Sequence, residues 1–173
     1  SYAASLWLAA FPLMIPLVSV IIVTYNKKEV IKKTLFTLYN SLYKNIEIIV
    51  VDNASTDGTD TLISKEFPNV RYLYQKQNLY FAGGNNKGYE HATGKYIFLL
   101  NNDAYVEVDT IEKMVSSLED NPNAFIVQNK ILRMDGKIDS IGSSYSPFGF
   151  LIHHYKEQDS PNPSLIFSAK GAS

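Results

Sequence analysis

The chain has 173 residues, of which 46% are hydrophobic and 19% are charged, and its formal net charge is −1. This length suits one domain, and the composition is globular rather than disordered or fibrous. The near-neutral charge leaves no overall basic surplus for binding nucleic acid through its phosphates. The absence of cysteine excludes disulfide scaffolds, thiolate zinc sites and cysteine nucleophiles, and it suits a reducing compartment.

A nearly continuous apolar run occupies residues 6–23. Its length is close to the roughly 20 residues that a membrane span needs, but two prolines inside it would each remove a helical hydrogen bond. We therefore expect residues 1–16 to be an extension outside the fold, in part an artefact of cloning. Residues 17–23 are expected to form a β-strand buried on both faces. An interfacial anchor and a true membrane span are the alternatives for this run.

Short apolar strands alternate with helical segments along most of the chain. The strands are expected over residues 17–23, 46–51, 70–74, 96–100 and 124–128, with an extension of the last to residue 132 left open. Helices with one apolar face are expected over residues 30–42, before Pro68, and over 85–92 and 111–118. Asp109 and Glu112 have the spacing of a capping box, and Asp135-Gly136 fits a hairpin turn. The alternation predicts an α/β fold with a mainly parallel central sheet flanked by helices.

Polar clusters follow three of the expected strands, and ligands of parallel sheets bind at the carboxyl ends of strands. The clusters are Tyr25-Asn26, Asp52-Asn53 and Asn101-Asn102-Asp103. Asp103 would suit Mg²⁺ or Mn²⁺, which takes one or two carboxylates and fills its other positions with phosphate and water oxygens. Asp52 would accept hydrogen bonds from a base or ribose, and Tyr25 would stack on a base. Turn, cap and packing roles are the alternatives for these residues.

The glycine-rich stretch from Gly83 to Gly88 has the spacing of a P-loop. Tyr89 and Glu90 replace the lysine and the serine or threonine that a P-loop needs, so that function is excluded. A dinucleotide-binding motif is also excluded, because it would follow the first strand. Two interpretations remain, a close backbone approach to a phosphate at a helix N-terminus and a tight turn into a helix.

Four segments carry linked motifs, VSVIIVTYN at 18–26, IEIIVVDNASTDGT at 46–59, NLYFAGGNNKGY at 78–89 and YIFLLNNDAYV at 96–106. Their order and spacing resemble the family 2 glycosyltransferases, and most of all the rhamnosyltransferase-like branch. The likeness is good over residues 17–130 and loose over 131–173. It implies a GT-A fold and inverting transfer from a UDP-, dTDP- or GDP-linked sugar to a glycan or lipid-linked acceptor, as in polysaccharide biosynthesis.

The resemblance also implies roles for individual residues. The base pocket would be lined by Thr24, Tyr25 and Asn26, and Asp52 with its neighbour Asn53 would contact the base or ribose. The donor pocket would be shaped by Asn78 and by a turn made of Gly83, Gly84, Asn85 and Asn86. Asn101-Asn102-Asp103 stands in the place of the metal-binding D-x-D motif, so Asp103 would be the ligand of Mg²⁺ or Mn²⁺. That ion would neutralise the diphosphate leaving group.

Two features depart from the family pattern. Tyr80 stands where the N-L-G-F-A-G-G form of the motif has its first glycine, so it either narrows the donor pocket or points outward. The family's carboxylate base lies in an acidic motif after the D-x-D region, and residues 168–173 look like the stretch before that motif. We therefore expect residues 17–173 to be a donor-binding domain truncated at its carboxyl end, with its general base beyond Ser173.

Two other functions are kept as alternatives. A sugar nucleotidyltransferase would need a glycine-rich loop after the first strand, and Thr24-Tyr25-Asn26-Lys27 has no glycine. A catalytically incomplete module that only binds nucleotide sugars is favoured by the missing acidic motif. The chain is expected to be cytoplasmic and to bind no nucleic acid, with peripheral contact at the cytoplasmic face of the membrane left open.

Overall fold

A central sheet of four parallel strands organises the molecule, and the computed structural model describes residues 15–133, 135–140, 143–145 and 151–153. The strands are β1 (Val18–Thr24), β2 (Ile46–Asp52), β3 (Arg71–Tyr74) and β4 (Tyr96–Asn101). Their order across the sheet is β3-β2-β1-β4. This confirms the predicted α/β fold with a parallel sheet, and the four strands lie close to their predicted positions.

One helix follows each strand of the central sheet. The helices are α1 (Lys28–Tyr39), α2 (Thr59–Glu66), α3 (Tyr80–Tyr89) and α4 (Thr110–Glu119). Two antiparallel pairs follow, β5 (Ile131–Leu132) with β6 (Ile138–Ser140) and β7 (Ser143–Tyr145) with β8 (Leu151–His153). The predicted hairpin turn is confirmed between β5 and β6, where Gly136 has a φ of +79°.

The two central strands are buried on both faces, which agrees with their aliphatic runs at residues 20–23 and 48–51. Side chains alternate between the faces of a strand, so Val20 and Ile22 of β1 point to one side with Val50 of β2. That side packs against α1, α2 and α4 through side chains that include Leu35 and Ile111, and it forms the main hydrophobic core.

The opposite side of the sheet packs against α3, and two glycines make that contact possible. A β-carbon on Gly84 would lie 2.7 Å from Cγ1 of Val23, and one on Gly88 would lie 2.4 Å from Cγ2 of Ile21. Both distances are too short for real atoms, so only glycine permits this approach of helix to sheet. The prediction of a turn at Gly83–Asn86 was therefore wrong, because these residues lie inside α3.

Two further expectations were wrong. Residues 124–128 form no strand, and Phe125 in that segment is 93% exposed. Asp109 does occupy the N-cap position of α4, but its side chain makes no capping hydrogen bond. Its Oδ2 instead pairs with Nζ of Lys113 at 2.6 Å, so the capping box is not formed.

The apolar run at the N-terminus enters the sheet as β1, which confirms the strand predicted there. The carbonyl of Pro16 accepts a hydrogen bond from the Tyr43 hydroxyl, and the carbonyl of Ile15 accepts one from Nδ2 of Asn45 at 2.7 Å. The predicted extension falls mainly on residues 1–14, which lie outside the described part. Among the described residues, no helix combines the length and the apolar character needed to cross a bilayer.

Candidate functional site

A groove of about 470 Å³ lies at the carboxyl edge of the central sheet. The ends of β1, β2 and β4 and the start of α3 contribute its lining, which consists of Val23, Thr24, Tyr25, Asn53, Asn78, Tyr80, Phe81, Asn101, Asn102 and Asp103. Seven of these ten residues are among the predicted site residues. The parallel strands bring them together because all of their carboxyl ends meet at one edge.

A second cleft, of about 530 Å³, lies between α1 and the segment that precedes α4. Its lining includes Phe36, Val106 and Val108, and it contains none of the predicted site residues. We assign the functional site to the groove at the strand ends rather than to this cleft. Polar and aromatic side chains from four separate segments converge there, which is typical of ligand sites in open α/β sheets.

Asp103 is an exposed carboxylate in the groove. No hydrogen bond or ion pair to its side chain is present among the described residues. The loop that carries it is well anchored, because the carbonyl of Asn102 accepts a hydrogen bond from Oγ1 of Thr34 at 2.7 Å. Nδ2 of Asn102 also donates to Oγ1 of Thr24 at 3.4 Å. Asp103 is thus a free anionic group on a fixed loop.

The residues around Asp103 fit a divalent cation that is shared with a bound ligand. One carboxylate and the amide oxygens of Asn101 and Asn102 are hard oxygen donors of the kind that Mg²⁺ and Mn²⁺ take. The described residues include no group of three histidine, cysteine or acidic side chains that could hold a metal ion. The protein would therefore bind such an ion together with oxygens of the ligand rather than in a closed site of its own.

Asn53 and Asn78 use their side chains to hold the backbone at the start of α3. Oδ1 of Asn78 accepts a hydrogen bond from the amide of Tyr80 at 2.8 Å. Asn53 is buried, and its Nδ2 donates to the carbonyl of Tyr80 at 3.3 Å while its Oδ1 accepts from the amide of Leu79 at 3.3 Å. Both residues line the groove, and both shape it by positioning Tyr80.

Asp52 is the last residue of β2 and is fully buried. Its Oδ1 accepts a hydrogen bond from the amide of Ser55 at 2.7 Å, and its Oδ2 accepts one from the hydroxyl of Tyr72 at 2.5 Å. Burial raises the pKa of the Tyr72 hydroxyl, and the hydrogen bond to Asp52 raises it further. Asp52 is absent from the groove lining, so its contact with a nucleotide stays a prediction.

Asn26 also lies outside the groove lining, and its side chain joins two loops. Its Oδ1 accepts a hydrogen bond from the amide of Thr56 at 2.8 Å, while its own amide donates to Oγ of Ser55 at 2.8 Å. Asn26 has a φ of +49°, a conformation that asparagine tolerates better than most residues. The predicted role of Asn26 in a base pocket stays a prediction.

The predicted residues of α3 lie behind the groove rather than in its lining. Gly84 packs on β1, and the neighbouring Gly83 lies one residue earlier in the same helix. Asn85 is buried, and its Nδ2 donates to the carbonyl of Phe81 at 2.9 Å. Asn86 is exposed. These residues support the helix that carries Tyr80 and Phe81, and their direct contact with a donor stays a prediction.

The sequence interpretation missed Val23 and Phe81 as lining residues and left the side chain of Tyr80 undecided. Tyr80 and Phe81 begin α3, whereas the expected helix began at Asn85. Asn78 is the signal that could have located the start of α3, and with it Tyr80 and Phe81, because asparagine commonly caps the first turn of a helix.

A family model described as glycosyl transferase family 2 matches residues 19–170. The chain is 35% identical over 130 residues to an Escherichia coli protein named UDP-Glc:alpha-D-GlcNAc-diphosphoundecaprenol beta-1,3-glucosyltransferase WfaP, covering 74% of this chain and 51% of that protein. It is 33% identical over 134 residues to an uncharacterized glycosyltransferase of Haemophilus influenzae, covering 75% of this chain and 42% of that protein. The chain therefore spans about half the length of the curated relatives it matches.

Two solved structures show the same architecture. The mannosyltransferase PcManGT from Pyrobaculum calidifontis, in complex with GDP-Man and Mn²⁺, has a TM-score of 0.60 and 28% identity, over 70% of this chain and 37% of that one. Staphylococcus aureus TarS, residues 1–349, in complex with UDP-GlcNAc, has a TM-score of 0.58 and 21% identity, over 67% of this chain and 38% of that one. The fold is GT-A, as predicted, while the rhamnosyltransferase-like branch stays a prediction. Because the family model matches most of this chain, from residue 19 to residue 170, the chain belongs to glycosyl transferase family 2.

Proposed function

We propose that the chain binds a nucleotide-diphosphate-sugar together with Mg²⁺ or Mn²⁺, as the donor-binding part of an inverting glycosyltransferase. The sugar would be transferred to a glycan or lipid-linked acceptor. The observation that carries this proposal is the free carboxylate of Asp103 in a groove whose other walls are aromatic and polar. The names of the relatives support it, since WfaP is named for UDP-Glc and a diphosphoundecaprenol acceptor, and PcManGT is a complex with GDP-Man and Mn²⁺.

The order of the strands gives the groove two distinct ends. Asp103 follows β4 on one side of β1, and Asn53 follows β2 on the other side. Neighbouring strands are roughly 4.8 Å apart, so these two ends are separated by about 10 Å. A nucleoside diphosphate carries its diphosphate and its base at opposite ends. It therefore fits across the end of β1 with its diphosphate beside Asp103.

Each end of the groove then has its own task. Asp103 would hold the cation jointly with the phosphate oxygens of the donor, while Asn102 and Thr24 keep its loop in place. The cation, when bound, supplies Lewis-acid stabilisation of the departing diphosphate. Asp103 is the one carboxylate among the described lining residues, and a ligand of the cation is poorly suited to accept a proton. We therefore place the general base for the acceptor hydroxyl outside the described groove.

Calorimetric titration tests the donor site. UDP-, dTDP- and GDP-linked sugars are titrated into the chain with Mn²⁺, with Mg²⁺ and with EDTA. Asp103→Asn should weaken the metal-dependent binding of the preferred donor by at least ~1–3 kcal/mol, the scale of a lost charged contact. Asp120→Asn is the matched control, because Asp120 is an exposed carboxylate away from the groove.

Two results would contradict the proposal. One is the absence of metal-dependent binding by every donor in a folded sample, and the other is unchanged donor affinity in Asp103→Asn. A separate assay for sugar transfer and donor hydrolysis distinguishes an enzyme from a binding module. Donor binding without turnover would assign this chain to nucleotide-sugar binding alone, and turnover that disappears in Asp103→Asn would assign it to transfer.

A further inference from the structure

Tyr80 has a backbone conformation that tyrosine rarely adopts. Its φ is +57°, in the left-handed region where a β-carbon crowds the following carbonyl oxygen. Glycine avoids this cost because it has no β-carbon. Such a residue persists only when its surroundings determine the conformation, and such residues concentrate at ligand sites.

The conformation of Tyr80 is imposed by its neighbours. Asn78 accepts a hydrogen bond from its amide at 2.8 Å, and Asn53 donates one to its carbonyl at 3.3 Å. A third hydrogen bond, from the amide of Leu79 to Asn53 at 3.3 Å, fixes the preceding residue. The asparagine side chains contact only backbone atoms of residues 79 and 80. A glycine at position 80 would therefore keep all three hydrogen bonds.

The side chain of Tyr80 gains little from folding. It is 78% exposed. Among the described residues, none forms a hydrogen bond with its hydroxyl and no aromatic ring packs against its ring. Tyr80 nevertheless lines the groove, together with the aromatic residues Tyr25 and Phe81. A strained residue with an unburied aromatic side chain is therefore held at the wall of the ligand groove, where packing within the chain does not account for it.

We infer that Tyr80 is an aromatic platform on which the base of the donor nucleotide stacks, with Tyr25 as a second aromatic surface in the same groove. This inference rests on the proposed function. Tyr80 is tied to Asn53 at the end of β2, while Asp103 lies beyond β1 at the end of β4. If the diphosphate lies at Asp103, the base falls at the Tyr80 end of the groove. Every nucleobase has a π-face, so this platform accepts uracil, thymine and guanine alike.

Two substitutions at position 80 separate stability from binding. Tyr80→Gly removes the ring and relieves the strained backbone, so its thermal unfolding midpoint should rise by a few degrees. Its affinity for nucleoside diphosphates should fall roughly 5- to 100-fold, the range for loss of one base–aromatic stack. Tyr80→Phe keeps the ring and should bind as the wild type does. Tyr89→Ala is the control, because Tyr89 is an exposed tyrosine of the same helix outside the groove.

The measurement is calorimetry with UDP, dTDP, GDP and the corresponding nucleotide sugars, in the presence of Mn²⁺. Equal losses for a nucleoside diphosphate and its sugar conjugate in Tyr80→Gly would support stacking on the base. A loss confined to the sugar conjugates would overturn the inference, because the ring would then contact the sugar. Wild-type affinity in Tyr80→Gly would also overturn it while leaving the proposed function intact.

Two further outcomes complete the test. If the wild-type chain binds no nucleotide, the proposed function fails and this inference fails with it. If Tyr80→Gly unfolds more easily than the wild type, the strain argument is wrong, and Tyr80→Ala then measures the contribution of the ring to affinity on its own. An unchanged affinity in that variant would overturn the inference as well.

Discussion

The hydroxyl of Tyr72 donates a hydrogen bond to Oδ2 of Asp52, and neither residue belongs to the lining of the groove. The other carboxylate oxygen of Asp52 accepts from the amide of Ser55. Asp52 thereby links the end of β2 to Tyr72 of β3 and to the loop that follows β2. The same carboxylate is the predicted contact to the nucleotide, so its structural and ligand-binding roles compete for Oδ2.

Tyr72→Phe should destabilise the fold and should not weaken nucleotide binding. The substitution leaves Oδ2 of a fully buried carboxylate without its partner, which costs about 1–3 kcal/mol. It also frees that oxygen for a ligand. Urea denaturation gives the free energy of unfolding, and calorimetry gives the nucleotide affinity. Tyr74→Phe is the control, since Tyr74 is an exposed tyrosine of the same strand.

The stabilising effect of Tyr72 should disappear at alkaline pH. Its pKa in the folded chain is raised above the ordinary value of 10.0 by burial and by Asp52. The unfolded chain therefore loses this proton first, so the contribution of Tyr72 to stability should be constant below pH 10 and should fall as the pH rises above it. The difference in unfolding free energy between wild type and Tyr72→Phe, measured from pH 8 to pH 11, should shrink only above about pH 10. A constant difference across that range would argue against the assignment.

Gly88→Ala should destabilise the chain by disturbing the contact between α3 and β1. The added β-carbon would lie 2.4 Å from Cγ2 of Ile21, which is a fully buried side chain. Overpacking of this kind costs about 1–3 kcal/mol, measured by chemical denaturation. In Gly83→Ala of the same helix the new β-carbon would meet Leu79 at 3.1 Å, so a much smaller effect is expected. Equal stability of the two variants would show that the helix moves freely over the sheet.

Glu47 should make stability fall in acid. Burial alone would raise the pKa of Glu47, but hydrogen bonds from Ser19, Thr93 and Gly94 outweigh it and hold the pKa below the ordinary value of 4.5. The contribution of Glu47 is therefore present above pH 4.5 and is lost as the pH falls through the pKa of the folded chain. Glu47→Gln should be less stable than wild type at neutral pH, and the gap should close in acid. Thermal unfolding from pH 3 to pH 7 measures the gap, and a gap that does not close in acid would contradict this role of Glu47.

Asp57 should stabilise the starts of two helices at once. Its Oδ2 accepts a hydrogen bond from the amide of Lys28 at 2.9 Å, at the beginning of α1. Its Oδ1 accepts from the hydroxyl of Thr59 at 2.6 Å and from the amide of Thr59 at 3.2 Å, at the beginning of α2. Asp57→Ala should cost about 0.5–2 kcal/mol, as the loss of a helix cap does. Asp60→Ala, in the first turn of α2, is the control, and an equal loss there would contradict the capping role.

The central sheet was predictable because its strands are short apolar runs bounded by polar residues. β1 and β2 are buried on both faces, and each contains a run of four aliphatic residues, at 20–23 and at 48–51. The segment 124–128 shows the limit of this rule. It is apolar enough to suggest a strand, but Phe125 and Ile126 are exposed and no neighbouring strand pairs with them in the described part of the chain.

The groove was predictable in composition but not in detail. Polar residues at the ends of parallel strands must converge, which placed Thr24, Asn53 and Asp103 in one site. The burial of Asp52 depends on Tyr72, which lies on a different strand, and no local pattern reveals that partner. The left-handed backbone of Tyr80 was also hidden, because α3 begins at a tyrosine and not at the glycines that usually mark such a conformation.

The glycine contacts of α3 also determine the width of the groove. Gly84 lies one helical turn after Tyr80 and rests on Val23 of β1, and Tyr25 follows Val23 by two residues, directly after the end of β1. The two aromatic walls are thus carried by the two elements that meet at this contact. A methyl group added there would push α3 outward and carry the ring of Tyr80 with it. The affinity for a planar ligand is therefore sensitive to Gly84, which lies outside the lining of the groove.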